Sequence, residues 1–536
     1  MTPEDWITHD PDPVTAAELR ACDPGELANR FAAPLKFGTA GLRGPVRGGP
    51  DAMNLAVVLR ASWAVGQVLS AQRRTGSTVV VGGDARHGSA QFTTATAEVL
   101  AAAGFSVVLL PRPCPTPVVA FAVRHTAAAA GIQITASHNP AGDNGYKVYF
   151  DGGMQIVSPT DAEIEAAMAV APPADTIARR PIAPAGDELT MRYIGRAAQV
   201  RRHGGRVRVA LTPLHGVGGK VAVEVLRAAG FADIHLVESQ FDPDPDFPTV
   251  AFPNPEEPGA TDALLALAAQ VGADVAIALD PDADRCAVGI AGPDGWRMLT
   301  GNQTGWLLGD YLLSRLPARR AANAVVASSV VSSRMLARIA ARYGAHHVET
   351  LTGFKWLARA DEGLPGASLA YAYEEAIGYC VDPEAVRDKD GISAAVLVCD
   401  LVAALASRGS SVPEALDELA RRHGVHVTDA VSRRVASPAD AAAVMARLRA
   451  DPPATLAGFA VTATDLLHRN GPVTDALEFS GERDGSSVRV VVRPSGTEPK
   501  LKCYLEVVRP PSDELADNRT EATRICAMLS DAVRAW

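Results

Sequence analysis

Thr78-Val79-Val80-Val81-Gly82-Gly83 opens a layout that the chain repeats, and that repeat decides the architecture. The run is apolar, largely β-branched and closed by glycines, as a buried strand is. A helical stretch follows, stops at Leu100-Ala101-Ala102-Ala103-Gly104-Phe105, and gives way to a strand over 106–110. The same order recurs at 207–211, with a helix stopping at Leu226-Arg227-Ala228-Ala229-Gly230-Phe231 and a strand near 234–237. A third copy starts at Ala324-Val325-Val326-Ala327, runs through a helix over 333–343 and resumes at His347-Val348-Glu349. Strand, helix, glycine stop and strand form a βαβ-like unit, so the pattern predicts three tandem, similar α/β domains with largely parallel sheets. Beyond residue 425 the pattern changes. Short strands over 460–464 and 487–492 and a helix over 440–449 read as a smaller C-terminal α+β domain, while 172–184 and 242–258 read as loops.

A chain of 536 residues is too long for one core and fits three to four domains. The opening Met1-Thr2-Pro3-Glu4-Asp5-Trp6 has neither the basic nor the apolar region of a secretory signal. The apolar stretch 394–406 is interrupted by Asp400 and is too short to span a bilayer, so no membrane association is expected. Seven cysteines are scattered without CxxC spacing, which points to a reducing compartment, the cytoplasm, and away from a disulfide framework or a zinc site. A net charge of −10 disfavours nucleic acid as a partner, although a local basic cleft can still take an anionic substrate. Of the 51 basic residues only Lys36, Lys147, Lys220, Lys355, Lys389, Lys500 and Lys502 are lysine. Most of these lie in glycine-punctuated segments, and lysine, unlike arginine, can exchange a proton.

Two segments carry the chemistry. Gly131-Ile132-Gln133-Ile134 reads as a strand that delivers Thr135-Ala136-Ser137-His138-Asn139-Pro140 into a tight turn. A second strand, Val275-Ala276-Ile277-Ala278-Leu279, leads into Asp280-Pro281-Asp282-Ala283-Asp284-Arg285. An oxygen nucleophile, Ser137, beside three carboxylates at alternate positions points to phosphoryl transfer assisted by a hard divalent cation. The loop is no EF-hand, because its sixth position is Arg285 rather than Gly and its twelfth is Ala291 rather than Glu. Three carboxylates are generous for Mg²⁺, which usually takes one or two from the protein.

Together the two motifs resemble the α-D-phosphohexomutase superfamily, the phosphoglucomutases and phosphomannomutases, over residues 35–504. The resemblance implies three related α/β domains and a smaller fourth around a central cleft, with boundaries at 1–188, 189–299, 300–425 and 426–536. It implies that Ser137 carries a phosphoryl group, that Asp280, Asp282 and Asp284 hold Mg²⁺ together with the Ser137 phosphate, and that a sugar bisphosphate acts as activator.

Other segments fit the same reading. Phe37-Gly38-Thr39-Ala40-Gly41-Leu42-Arg43-Gly44 brings backbone N–H groups and Arg43 towards an anion. Arg43 and Arg285 are expected to stabilise the moving phosphoryl group. Asn144-Gly145 makes a turn that could lay Lys147 back over Ser137, where a lysine desolvated between cations can lose its proton; a proton-transfer or a phosphate-steadying role is expected of it. His138 is expected to orient the loop. By resemblance, Lys389 in Arg387-Asp388-Lys389-Asp390-Gly391 is a cleft cation or general acid, and Thr352, Gly353, Lys355 and Glu374 bind the sugar. Ala376 stands where the family's sugar loop has a serine, which brings the chain nearest the phosphopentomutase-like branch. Arg493-Pro494-Ser495-Gly496-Thr497 packs a cation, two hydroxyls and a glycine into a phosphate cradle, and it resembles the family's grip on the phosphate that is not transferred.

The expected activity is a phosphosugar mutase (isomerase) that interconverts glucose or mannose 1-phosphate and 6-phosphate through phospho-Ser137 and a bisphosphate intermediate. The alternatives are a phosphopentomutase, a sugar-1,6-bisphosphate synthase and, in third place, a phosphatase.

Overall fold

Thr78–Gly83 lies inside a mixed sheet, one strand from its edge. Ser106–Leu109 flanks it in parallel on one side and Ala130–Ile134 in parallel on the other. Asp143–Phe150 then returns antiparallel beside Ala130–Ile134, and Leu42–Pro45 closes that edge, also antiparallel. The second repeat copies this order. Val209–Thr212 lies between Ile234–Leu236 and Val275–Leu279, both parallel to it, and Cys286–Gly292 and Gly295–Met298 extend the sheet antiparallel. In the third repeat Ala324–Ser329 lies between His346–Thr350 and Ser368–Glu374, again in parallel. The sheets are therefore mixed rather than largely parallel. The strand after the third parallel one follows a connection of eight residues or fewer, too short for the crossover that a parallel return needs.

The computed structural model describes residues 1–536 except 39–40, 112, 469–472 and 495–499. The chain divides into two compact bodies: Met1–Leu299 with Gly378–Ala404, and Thr300–Ile377 with Leu405–Trp536. In the first body the helices Leu55–Ala71 and Ser89–Ala102 pack together, and Val57, Val65, Leu69, Val79, Val81, Ile132 and Ile134 share one core. Three short helices precede them, Pro3–Thr8, Pro13–Ala21 and Pro24–Ala32. Each follows a cap, Thr2, Asp12 or Asp23, whose side chain accepts a backbone N–H, with proline at the first helical turn, where its missing donor costs nothing.

The strand Asp143–Phe150 shows how the first sheet positions chemistry. Side chains alternate between faces, so Tyr146, Val148 and Phe150 join the core while Lys147 and Tyr149 point the other way. Gly378–Ala404, which the sequence assigns to the third domain, packs with the first body. Its Asp388 accepts from Tyr149 Oη at 2.9 Å and Gln155 Nε2 at 2.7 Å, and its Asp390 from Tyr193 Oη at 2.8 Å. The apolar helix Gly391–Ala406 begins there, and its buried Asp400 accepts the N–H groups of Arg202 and His203. Among the described residues no helix is long and apolar enough to cross a membrane.

In the second body, five antiparallel strands run in the order Val425–Arg434, Lys500–Arg509, Ser486–Pro494, Leu477–Arg483 and Thr462–Asp465. The helices Pro438–Ala450 and Leu515–Arg534 pack on this sheet.

Candidate active site

Ser137 lies three residues beyond the end of Ala130–Ile134, buried at 2 % exposure and held at φ +54°. A non-glycine residue adopts that left-handed conformation only when its surroundings enforce it. Here Ser137 N–H donates to Thr135 Oγ1 at 2.8 Å. The buried guanidinium of Arg86 also donates to the carbonyls of Ser137 (2.7 Å), Asn139 (2.6 Å), Pro140 (2.7 Å) and Asp143 (3.1 Å). Arg86 stacks on the Phe247 ring at 4.9 Å, and its Nε lies 3.4 Å from Asp84. Nothing in the sequence reading singled it out. The available signal was Asp84-Ala85-Arg86, charged residues directly after a buried strand, where a charge needs a structural partner.

The Ser137 hydroxyl donates to Asp280 Oδ2 at 2.7 Å, bridging two loops 143 residues apart. Asp280, Asp282 and Asp284 are fully buried, and one carboxylate oxygen of each lies within 4.8 Å of the others. Along an extended strand, alternate side chains are about 6.5–7 Å apart. The turn, with Ala283 at φ +58°, draws them together. Glycines clamp this turn from outside. A Cβ on Gly216 would lie 2.4 Å from Pro281 Cα, one on Gly218 2.5 Å from Ala283 Cβ, and one on Gly391 2.3 Å from the Arg285 carbonyl.

Lys147 and Lys389 supply the countercharge. Lys147 Nζ donates to Asp282 Oδ2 and Asp284 Oδ2, each at 2.7 Å, and Lys389 Nζ lies 3.2 Å from Asp284 Oδ2. Thr116 Oγ1, at the start of the helix Thr116–His125, donates to Asp282 Oδ2 at 2.5 Å. Burial pushes all three carboxyls up. Asp280, facing the other two aspartates, stays well above the carboxylate range. For Asp282 and Asp284 the lysines reverse the effect of burial and hold them below it.

Burial also acts against the Lys147 ammonium, but Asp282 and Asp284 outweigh it and raise its pKa. The expected lysine, desolvated between cations and short of its proton, is thus not what the fold makes. The carboxylates that face it keep it charged. His138 is the opposite case: burial, Arg285 and Arg43 push it well below the usual imidazole value, so it is neutral. Its Nδ1 lies 3.3 Å from Ser137 Oγ. Arg43 donates to Asn139 Oδ1 at 2.8 Å, beside the serine turn. Arg285 donates its backbone N–H to Asp280 Oδ1 at 3.0 Å, and its guanidinium lies 3.6 Å from Glu256.

The cluster fits a hard cation. Asp282 Oδ1 and Asp284 Oδ1 are buried with no hydrogen-bond partner among the described residues. Two unengaged carboxylate oxygens in a dry site are costly, and oxygen-only donors suit a divalent ion.

The sugar-binding candidates lie in the second body. Glu374 ends the strand Ser368–Glu374 and is half-buried. Thr352 is half-buried too, Gly353 takes φ +103°, and Lys355 Nζ lies 5.9 Å from the Trp356 ring centre. The sequence reading passed over Glu375, whose Oε2 accepts from Ser329 Oγ at 2.9 Å and Ser332 Oγ at 3.0 Å. Arg493 is half-buried near the end of Ser486–Pro494, opposite Lys502. Ser495, Gly496 and Thr497 lie outside the described residues.

Family models match nearly the whole chain in order. They are the phosphoglucomutase/phosphomannomutase α/β/α domain I over 34–172, domain II over 191–292, domain III over 300–423 and the C-terminal domain over 431–524. The chain belongs to the phosphoglucomutase/phosphomannomutase family. As a member it is an isomerase, a phosphosugar mutase. It is 39% identical over 491 residues to a probable phosphomannomutase of Haemophilus influenzae, covering 90% of this chain and 97% of that one. It is 33% identical over 562 residues to the mouse phosphopentomutase, covering 95% and 90%. The crystal structure of a putative phosphomannomutase from Thermus thermophilus superposes with a TM-score of 0.68 at 27% identity, covering 92% of this chain and 98% of that one.

Proposed function

We propose that this mutase interconverts the 1-phosphate and 6-phosphate of glucose or mannose through phospho-Ser137. One observation carries the reading: a buried serine, forced into a left-handed turn, puts its hydroxyl 2.7 Å from a carboxylate of a cluster that has two unengaged oxygens. Asp280, Asp282 and Asp284 hold Mg²⁺, which when bound neutralises charge on phosphoryl oxygens. Arg43 and Arg285 add fixed positive charge for the transferring group. As the phosphoryl leaves Ser137 Oγ for a sugar hydroxyl, one P–O bond breaks and one forms. The hydroxyl proton is lost and the serine oxygen regains one. Lys147, kept charged beside Asp282 and Asp284, donates the proton that the serine oxygen regains and, as the amine so formed, takes the one that the sugar hydroxyl loses; Lys389 lies on the same proton path.

Thr352, Gly353, Lys355 and Glu374 contact the sugar, and Arg493, Ser495, Gly496 and Thr497 grip the other phosphate. A sugar bisphosphate primes Ser137. The domains divide at 1–188, 189–299, 300–425 and 426–536. The substrate is a small sugar phosphate, not a nucleic acid or a membrane, and seven unpaired cysteines suit the cytoplasm.

A pentose phosphate is the second reading, favoured by Ala376 and by the similarity to a protein named phosphopentomutase. Assays of glucose, mannose and ribose 1-phosphate, each with and without trace bisphosphate, test both readings. Turnover independent of bisphosphate and of the phosphoserine would refute the mutase route.

A further inference from the structure

Arg489 lies within the strand Ser486–Pro494, four residues before Arg493 and on the same face. Only 3 % exposed, it is a buried cation for which the phosphoryl-transfer chemistry has no use. Its Nε donates to Glu478 at 2.8 Å, and a second nitrogen lies 3.3 Å from Glu349. The remaining donors leave the C-terminal sheet and reach the carbonyls of Val330 at 2.5 Å and Ser332 at 3.3 Å.

Those carbonyls belong to the turn that follows the strand Ala324–Ser329, and the same turn holds the loop that carries Glu374 and Ala376. Ser329 and Ser332, both nearly fully buried, donate their hydroxyls to Glu375 Oε2, and Glu375 N–H donates back to Ser332 Oγ at 3.1 Å. The loop has little freedom elsewhere. Ile377 takes φ +53°, and a Cβ on Gly301 would lie 1.9 Å from the Glu375 carbonyl. One cation therefore fixes the turn, and the turn fixes the loop by three hydrogen bonds.

We propose that Arg489 is a positioning residue for sugar recognition: it sets the 330–332 turn, through Ser329 and Ser332 sets Glu375, and thereby sets the loop on which Glu374 meets the sugar. The proposal rests on the reading of the Glu374 loop as the sugar site. It also ties that loop to the strand that carries Arg493, so sugar contact and phosphate grip share one support. A guanidinium suits the task because its planar fork reaches several acceptors at once, which an ammonium on a flexible stem does not.

The test uses the full-length enzyme with Arg489→Lys, Ser332→Ala and Glu374→Gln. Arg489→Lys and Ser332→Ala should each raise the KM for glucose 1-phosphate about tenfold while kcat changes less than about threefold, which corresponds to lost ground-state positioning. Both should lower the hexose-to-pentose ratio of kcat/KM, because a hexose offers more hydroxyls to a misplaced loop, and neither should change the Mg²⁺ concentration for half-maximal activity. If both variants only melt earlier, with KM and the sugar ratio unchanged, Arg489 is a structural brace and the proposal is overturned. Glu374→Gln separates the two claims. A raised KM there alongside unaffected Arg489 and Ser332 variants sinks the positioning role alone, whereas a parental KM in Glu374→Gln sinks the sugar-loop reading and this proposal with it.

Discussion

The serine turn at 135–142 and the aspartate turn at 280–285 occupy the same place in two copies of one topology. Each links the third parallel strand of its sheet to an antiparallel return strand, and each holds one non-glycine residue left-handed, Ser137 at φ +54° and Ala283 at φ +58°. Both are supported by buried cations, and what differs in charge is the group each cation holds. The serine turn offers carbonyl oxygens to the buried cation Arg86, whereas the aspartate turn offers carboxylates to Lys147 and Lys389. Arg86 lies behind a turn proposed to receive an anionic phosphoryl group. The lysines restrain two of the three carboxylates, Asp282 and Asp284, which would otherwise repel each other. The comparison teaches that one scaffold position can serve opposite electrostatic tasks when the neighbouring elements supply the countercharge.

Ser137→Ala attacks the comparison hardest. It should cut turnover on the order of a millionfold, as loss of a nucleophile does, and leave the fold intact. Intact-protein mass spectrometry should show no phosphate, and a phosphate that survives refutes the assignment of the serine turn. Asp282→Asn asks the same of the other turn. Activity at saturating Mg²⁺ should fall on the order of a hundredfold, with a steeper metal requirement. Full activity of the parent enzyme in EDTA would remove the electrostatic contrast altogether.

Arg86→Lys tests whether the serine turn is held from behind. Backbone carbonyls left without partners cost about 2 kcal/mol, so kcat should fall about thirtyfold while the metal requirement stays put. A parental kcat would show that the turn holds itself. Gly216→Ala presses a methyl group against Pro281 and should raise the Mg²⁺ concentration for half-maximal activity about tenfold with little change at saturation. An unchanged metal titration would mean that the aspartate turn is not clamped there. The smallest effect extends the comparison to the third repeat, whose corresponding turn also carries a left-handed residue, Ile377. Ala376→Ser restores a hydroxyl worth about 1 kcal/mol and should raise the hexose-to-pentose ratio of kcat/KM about fivefold. A level or falling ratio assigns sugar choice elsewhere.

Much of this was legible along the chain because the signals are local. The strands at 78–83, 130–134 and 275–279 announce themselves as unbroken apolar runs, and Ser137 and the three aspartates follow them directly. The antiparallel return strands were not legible as such, because strand direction depends on the partner rather than on the strand's own residues. Arg86 and Glu375 escaped for a similar reason: each is defined by groups far away in sequence or hidden in a neighbouring turn.

Residue order alone determined three α/β repeats, a smaller C-terminal domain and which groups are the candidates for phosphoryl transfer, because periodicity, turn chemistry and short motifs are properties of neighbours in the chain. Tertiary structure alone decided their electrostatic state. Lys147 could have been a deprotonated base or a bound cation, and its sequence neighbours are compatible with either. Only the packing of Asp143–Phe150 against the aspartate turn, 135 residues away at Asp282, puts two carboxylates on its ammonium and keeps it charged. A pKa is set by burial and by charges within a few ångströms, and only the folded chain fixes which charges those are.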